Sequence, residues 1–475
     1  MKLLGKIVTV AGCLFFIVAL VSSFTNSLTL FDSALTTVTT ALVTLGILLL
    51  VSYIADRYLS KRLFILSLIS LAFLIRIVWI LWIQTPPASD FLYMHTAAKS
   101  AALGDFSFAD TEYFTSWVYQ LGFTLYEALI IKLFGSSLFI LKFMNVVFSV
   151  GTTVIVYFTA ARMFNEFCGR IASLAYALYI PNIIMCSVLT NQHLSTLLFM
   201  LGCLFLIKGW DSKYRWIYIG LSFGIANIIR PLGSVFIIGL ILFFLIHQLR
   251  TYSKPQAWKI IAKVAGVVAI FYLVQSLVSY AILSADITKY PLSNREPYWK
   301  FMVGLNAKTD GAWSMEDARY VLQFELGEER NRAELEVIKE RLADKPELAA
   351  LMTRKLVSLW GSGDASTSWS LQEMNKPDLS VTLNKIERMM YIVMSAFGVL
   401  SLLALYRMKQ THESHLYVIL LLAYATVHLV IEIQTRYRLD LMPAFIQLQS
   451  YGVYKMYSMI QSFNIAGQKN KSAEM

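Results

Sequence analysis

Apolar stretches of about 16 to 24 residues recur along this chain, and few folds can accommodate them. A helix needs ~17–25 mostly apolar residues to cross a bilayer. Candidate spans run over 7–23, 35–54, 63–83, 137–160, 171–190, 193–208, 216–230, 232–249, 260–283, 387–406, 415–433 and 440–459. Backbone groups in lipid must be satisfied within the spanning segment, so such runs become helices. The expected fold is an all-α polytopic membrane protein of about 12 transmembrane helices. Only 15% of residues are charged against 57% hydrophobic, whereas soluble domains carry ~25% charged residues.

The net charge of +11 does not indicate a nucleic-acid partner, because Lys and Arg are spread through short loops. Their distribution reads as topology. With the N-terminus inside, the inner loops hold Arg57, Lys61 and Arg62; Arg162 and Arg170; Lys208, Lys213 and Arg215. Further along they hold Arg250, Lys254 and Lys259; Arg407 and Lys409; Lys469 and Lys471. The short outer turns 24–34 and 191–192 contain none. Excess positive charge marks the cytoplasmic side, so both termini are expected there. The segment from Met1-Lys2 through Lys6 to Val21 superficially resembles a signal peptide, but Val21-Ser22-Ser23 is a poor cleavage site. It is read as an uncleaved first span.

Two long segments then fall outside and divide the chain: an N-terminal core 1–283 containing loop 84–136, a helical loop 284–386, and C-terminal helices and tail 387–475. Loop 84–136 opens on Ser89-Asp90-Phe91 and ends in the apolar Leu121–Phe134, which suits the bilayer surface. In the second loop, Ser314-Met315-Glu316-Asp317 marks a helix start. Glu347–Trp360 carries Leu348, Leu351, Met352, Leu356 and Leu359 at helical spacing, the pattern of an interfacial helix.

Ionisable residues in a membrane bundle need a use or a partner. Here they gather at the outer ends of spans: Asp90, Asn191-Gln192-His193, Arg230, and Glu432-Ile-Gln-Thr-Arg436-Tyr437-Arg438. Arg76, well inside the third span, breaks the pattern, and the sequence names no partner for it. Arginines suit a phosphate or diphosphate. A carboxylate can deprotonate a hydroxyl, and Tyr113, Trp117 and Tyr437 could stack on a sugar. Plainer roles compete with each assignment. The arginines could anchor lipid headgroups, Glu432 could only neutralise Arg436, and His193 could be a helix-end residue. Asp90 could cap the helix that follows it, and the aromatic residues could fill the bundle or the interfacial belt. No Cys/His spacing suggests zinc.

Three marks in order resemble a known family: Ser89-Asp90-Phe-Leu-Tyr93, Ala177-Leu-Tyr-Ile-Pro181, and Glu432…Arg436-Tyr437-Arg438…Pro443. They resemble the membrane-embedded glycosyltransferases of the GT-C fold, nearest to bacterial family 39-like members similar to protein O-mannosyltransferases and aminoarabinose transferase. Gly304-Leu-Asn306 and Arg354-Lys355…Trp360 look like bacterial relatives of the same class.

The resemblance implies an inverting transferase in a bacterial cell membrane, taking a sugar from a polyprenyl (undecaprenyl) phosphate carrier to an extracytoplasmic acceptor hydroxyl. It makes Asp90 the general base. Arg436 and Arg438, with Arg230 and Lys355, would hold the donor phosphate. Tyr93, Tyr113, Trp117, His193, Glu432 and Tyr437 would contact substrate. The family often has a second acid beside the first, but Phe91 follows Asp90 here. A divalent metal is therefore possible but not indicated, with Asp105, Asp110 and Glu112 the acids able to reach back. The alternatives are a surface-polysaccharide polymerase or ligase using a diphosphate donor, and a lipid-linked-sugar transporter. The transporter would place charges midway through the bundle.

Overall fold

The computed structural model describes residues 3–31, 33–248, 254–408 and 413–473, and among these helices are the only regular secondary structure. Arg250 and Lys409, counted for the orientation, and Lys2 of the N-terminal segment lie outside them.

A helix lies at each position expected to span. Six are long and apolar enough to cross a membrane: Leu3–Ser27, Ala34–Tyr58, Lys61–Trp82, Leu138–Met163, Gln256–Ser284 and Pro377–Tyr406. The pair Glu166–Leu178 and Ile180–Ser187, bent by 59°, is apolar enough to cross only when the two pieces are taken together, as a broken span or a re-entrant loop. The remaining apolar helices Gln192–Ile207, Arg215–Ile229, Gly233–Ile246 and His415–Val430 are shorter. The figure of twelve spans is therefore not established by length and composition.

One apolar core joins the two ends of the chain. Phe16 of the first helix, Phe199, Tyr391 and Phe445 are all buried in it. The helix Pro377–Tyr406 packs against both Leu3–Ser27 and Met442–Ala473. Glu347–Trp360 does lie in a helix, Lys345–Gly361, with Asp344 accepting from the Glu347 amide at its start. Its apolar side, expected in the headgroups, is found on protein. Leu351, Leu359 and Trp360 are buried, with Trp360 edge-on to Phe15 at 4.7 Å. The indole gains a dry protein contact there that an interfacial position would not offer. Ser314 caps Met315–Val321 as expected, accepting from the Asp317 amide at 3.1 Å.

The structure supplies the missing partner of Arg76. Pro181 has no N–H, so the Ala177 carbonyl four residues before it loses its helical donor. Arg76 Nη1 donates to that carbonyl at 3.0 Å, and Nη2 donates to the Tyr176 carbonyl at 3.5 Å. Nε donates to Ser149 Oγ at 2.8 Å. A cation thus caps the C-terminal end of Glu166–Leu178, where the helix dipole is negative. Buried carbonyls left unpaired cost about 1–3 kcal/mol each. Arg76→Met is therefore expected to lower the thermal unfolding midpoint in detergent by several degrees. An unchanged midpoint would show that these carbonyls find other donors.

Candidate functional site

Residues from the ends of separate helices and from the two long loops converge on one cavity of about 1140 Å³. Its walls come from loop 84–136, from residues 292–330 and Trp369 of the second loop, and from the ends of the helices near 191, 230 and 430.

Asp90 is the first residue of the helix Asp90–Ala102, not its cap; the cap position is Ser89. Ser89 has φ 51°, ψ −139° and makes no capping hydrogen bond. A non-glycine residue at such angles costs about 1–3 kcal/mol, and this kind of strain concentrates at functional sites. The sharp turn starts the helix at the cavity wall with the Asp90 side chain exposed to the cavity. Among the described residues, no hydrogen bond or ion pair holds its carboxylate. The capping role is thereby excluded. The carboxyl is open to cavity water but walled by protein. Desolvation raises its pKa above the usual carboxylate range, with Arg436 and Lys300 opposing and Glu432 adding to the rise.

The chain from Ile431 to Asp440 positions the opposing groups. The helix His415–Val430 stops short, residues 432–434 are irregular, and Thr435–Asp440 forms 3-10 turns. Gln434 Nε2 donates to Glu432 Oε1 at 3.0 Å, and Arg436 Nε donates to Gln434 Oε1 at 2.8 Å. Glu432 therefore faces Arg436 through Gln434 rather than neutralising it across a helical turn. The Arg436 guanidinium is boxed by Phe91 at 5.3 Å, Trp369 at 4.7 Å and Tyr437 at 5.1 Å. Rings hold a cation in place without cancelling its charge.

Lys300, which sequence reasoning missed, completes the group. It lies on the helix Trp299–Gly304 of the second loop, with its Nζ 6.0 Å from the Tyr437 ring. The Lys300 carbonyl accepts from the Glu432 amide at 2.8 Å. This contact needs Gly304, where a Cβ would come within 2.2 Å of the Ile431 carbonyl carbon. Lys355 clamps the same junction from behind. Its Nζ donates to the carbonyls of Gly304 at 2.6 Å and Ile431 at 2.8 Å, and burial lowers its pKa to about 8. Desolvation also lowers the pKa of Lys300, with Glu432 opposing.

Asp90, Tyr93, Tyr113, Trp117, Arg230, Glu432, Arg436 and Tyr437 line the cavity; Arg438, Lys355 and His193 do not. Arg230 reaches it with its donors already committed. Nε and Nη2 bond Asp440 at 3.1 and 2.9 Å, and Nη1 bonds Asn191 at 3.0 Å. Arg438 is fully buried on the bundle side, donating to the Ser362 carbonyl at 2.9 Å and pairing with Asp364 at 3.3 Å. His193 is buried near the start of Gln192–Ile207 with Nε2 unpartnered. The acids considered for a metal do not reach Asp90. Asp105 caps the Ser107 amide, Asp110 pairs with Lys289 at 3.0 Å, and Glu112 pairs with Arg330 at 2.7 Å. Among the described residues, no group of three or more His, Cys, Asp or Glu is arranged to hold a metal.

Comparison with known proteins follows the same line. Residues 121–280, roughly a third of the chain, match the family model described as dolichyl-phosphate-mannose-protein mannosyltransferase. That stretch resembles a membrane glycosyltransferase of the GT-C class. Among solved structures, the chain is similar to ArnT from Cupriavidus metallidurans bound to undecaprenyl phosphate. The identity is 10% over 83% of this chain and 78% of that one, with a TM-score of 0.40. A search of curated proteins finds no match.

Proposed function

We propose that this protein transfers a sugar from a polyprenyl-phosphate carrier to an acceptor hydroxyl at the outer face of a bacterial cell membrane, with inversion. The observation that carries the reading is an unpaired carboxylate, Asp90, sharing one cavity with Arg436 and Lys300. The mannosyltransferase match over 121–280 supports the donor class.

In this reading Asp90 takes the proton of the acceptor hydroxyl as its oxygen attacks the anomeric carbon. The bond from that carbon to the phosphate oxygen breaks, and the polyprenyl phosphate leaves with the electron pair. Fixed cations stabilise the charge growing on the leaving group. Arg436 supplies a guanidinium oriented by three rings, and Lys300 a second cation with no hydrogen bond or ion pair at its Nζ among the described residues. Arg438 and Lys355 position the two strands of backbone that carry these cations. Arg230 braces the 3-10 turn through Asp440. Both termini are taken as cytoplasmic, and the divisions 1–283, 284–386 and 387–475 serve as functional segments of one body.

The test uses synthetic undecaprenyl phosphate bearing a β-linked hexose, given to membranes containing the protein, with the anomeric configuration of the product read by NMR. An α-linked product supports single displacement. A β-linked product would require a covalent intermediate and a different role for Asp90.

A pH dependence follows from the position of Asp90. A base must be deprotonated, and its pKa lies above the ordinary carboxylate value of ~3.9. The rate is therefore expected to fall about tenfold per pH unit below that raised pKa. Acid inactivation should begin at higher pH than for a solvated Asp. A flat profile down to pH 4 would remove Asp90 as the base.

A further inference from the structure

We propose that the acceptor is a glycan, and that the sugar receiving the new linkage carries no negative charge. This rests on the transfer reading above and concerns the other side of the same cavity.

From Asp90 the wall continues as a row of rings. Tyr93 and Tyr113 stack with centroids 5.4 Å apart and planes at 26°, and Tyr113 meets Trp117 edge-on at 5.2 Å. All three line the cavity. The Tyr113 hydroxyl is closed off from solvent and has no hydrogen-bond partner. A pyranose matches such a wall, because one of its faces presents C–H groups to the rings. Asp90 acts electrostatically on Tyr113, so an acceptor sugar laid along the row would have a hydroxyl within reach of Asp90.

The far end of the row sets the charge. Glu112 lies beside Tyr113 on the short helix Glu112–Ser116. Arg330 donates to both Glu112 and Glu296, so one cation meets two carboxylates. Both acids line the cavity, and Glu334 is buried behind them with both oxygens unpartnered. Burial and the neighbouring Glu296 push the Glu334 carboxyl up to about 8, so near neutral pH it is mostly uncharged and the repulsion rests on the acids that line the cavity. Along the ring row the carboxylates Asp90, Glu112 and Glu296 face the single cation Arg330, so an acceptor sugar bearing phosphate or carboxylate meets an excess of negative charge there. Like-charge juxtaposition is a common means of rejecting wrong partners. A neutral or amino-bearing sugar meets no such barrier.

The experiment compares the envelopes of cells with and without the protein, mapping the lost sugar by mass spectrometry and NMR. The expected loss is a sugar linked to a glycan residue free of phosphate and carboxylate. A sugar lost from a phosphorylated or uronic residue, or from Ser or Thr of a protein, overturns this inference but leaves the transfer reading standing. An unchanged envelope overturns both. With the acceptor so identified, Trp117→Ala in membranes should raise the acceptor KM about tenfold with the donor KM unchanged, the loss expected of a few kcal/mol or less of stacking. Trp117→Phe should restore most of it. Glu112→Lys should improve use of a phosphate-bearing analogue of that acceptor. If both KM values move together in Trp117→Ala and Glu112→Lys leaves the charge preference unchanged, the row is not the acceptor site.

Discussion

Asp90→Asn is expected to lower sugar transfer by about 10²–10⁴-fold, the range a positioned general base contributes. The size follows from geometry. Asp90 is the only carboxylate on the cavity wall that combines exposure to the cavity with freedom from hydrogen bonds and ion pairs among the described residues. Glu432 bonds Gln434, while Glu112 and Glu296 bond Arg330. The substitution is isosteric and removes no capping bond, so insertion and thermal stability should match the parent. Asp90→Glu should recover only part of the rate, because a misplacement near 1 Å can cost about 10²-fold. A loss of less than tenfold would transfer the role of base to Glu432, the next carboxylate on the same wall.

The second large effect is at Arg436. Removing one preorganised cation from a developing charge typically costs about 10²–10³-fold in rate, and Arg436→Met is expected to fall in that range. Arg436→Lys should rescue little. A lysine cannot reproduce the planar group that stacks on Trp369, Phe91 and Tyr437 while reaching Gln434 through Nε. The measurement is the transfer rate at saturating acceptor, with the donor varied. Parent-like kinetics would mean that Lys300 alone suffices for the leaving group.

Much of the scaffold could be read from the residue order. Runs of apolar residues place the helices, and Pro181 marks the bend. Asp90, Arg230, Glu432 and Arg436 could be named together because ionisable residues at span ends need a use or a partner, and Tyr113, Trp117 and Tyr437 joined them as aromatic residues able to stack on a sugar. The separation of Arg436 from Arg438 could not be read. The segment was taken as the approach to a regular last span, but it forms 3-10 turns at three residues per turn. Positions two apart fall on different faces in these turns, as they would in a regular helix, and only the tertiary fold decides that Arg436 faces the cavity while Arg438 goes to Asp364. Lys300 was hidden for a different reason. It is one of several cations in a charged loop, and only the backbone contact at Gly304 brings it beside Glu432. Arg76 had no partner to name in the sequence because the carbonyl it satisfies lies a hundred residues away.

The most direct test of the account separates binding from chemistry. Undecaprenyl phosphate binding, measured on the purified full chain, should be unchanged in Asp90→Asn and weakened at least tenfold in Arg436→Met, with both variants failing to transfer. If Asp90→Asn loses carrier binding as fully as Arg436→Met does, Asp90 belongs to the lipid-phosphate site and is not the base.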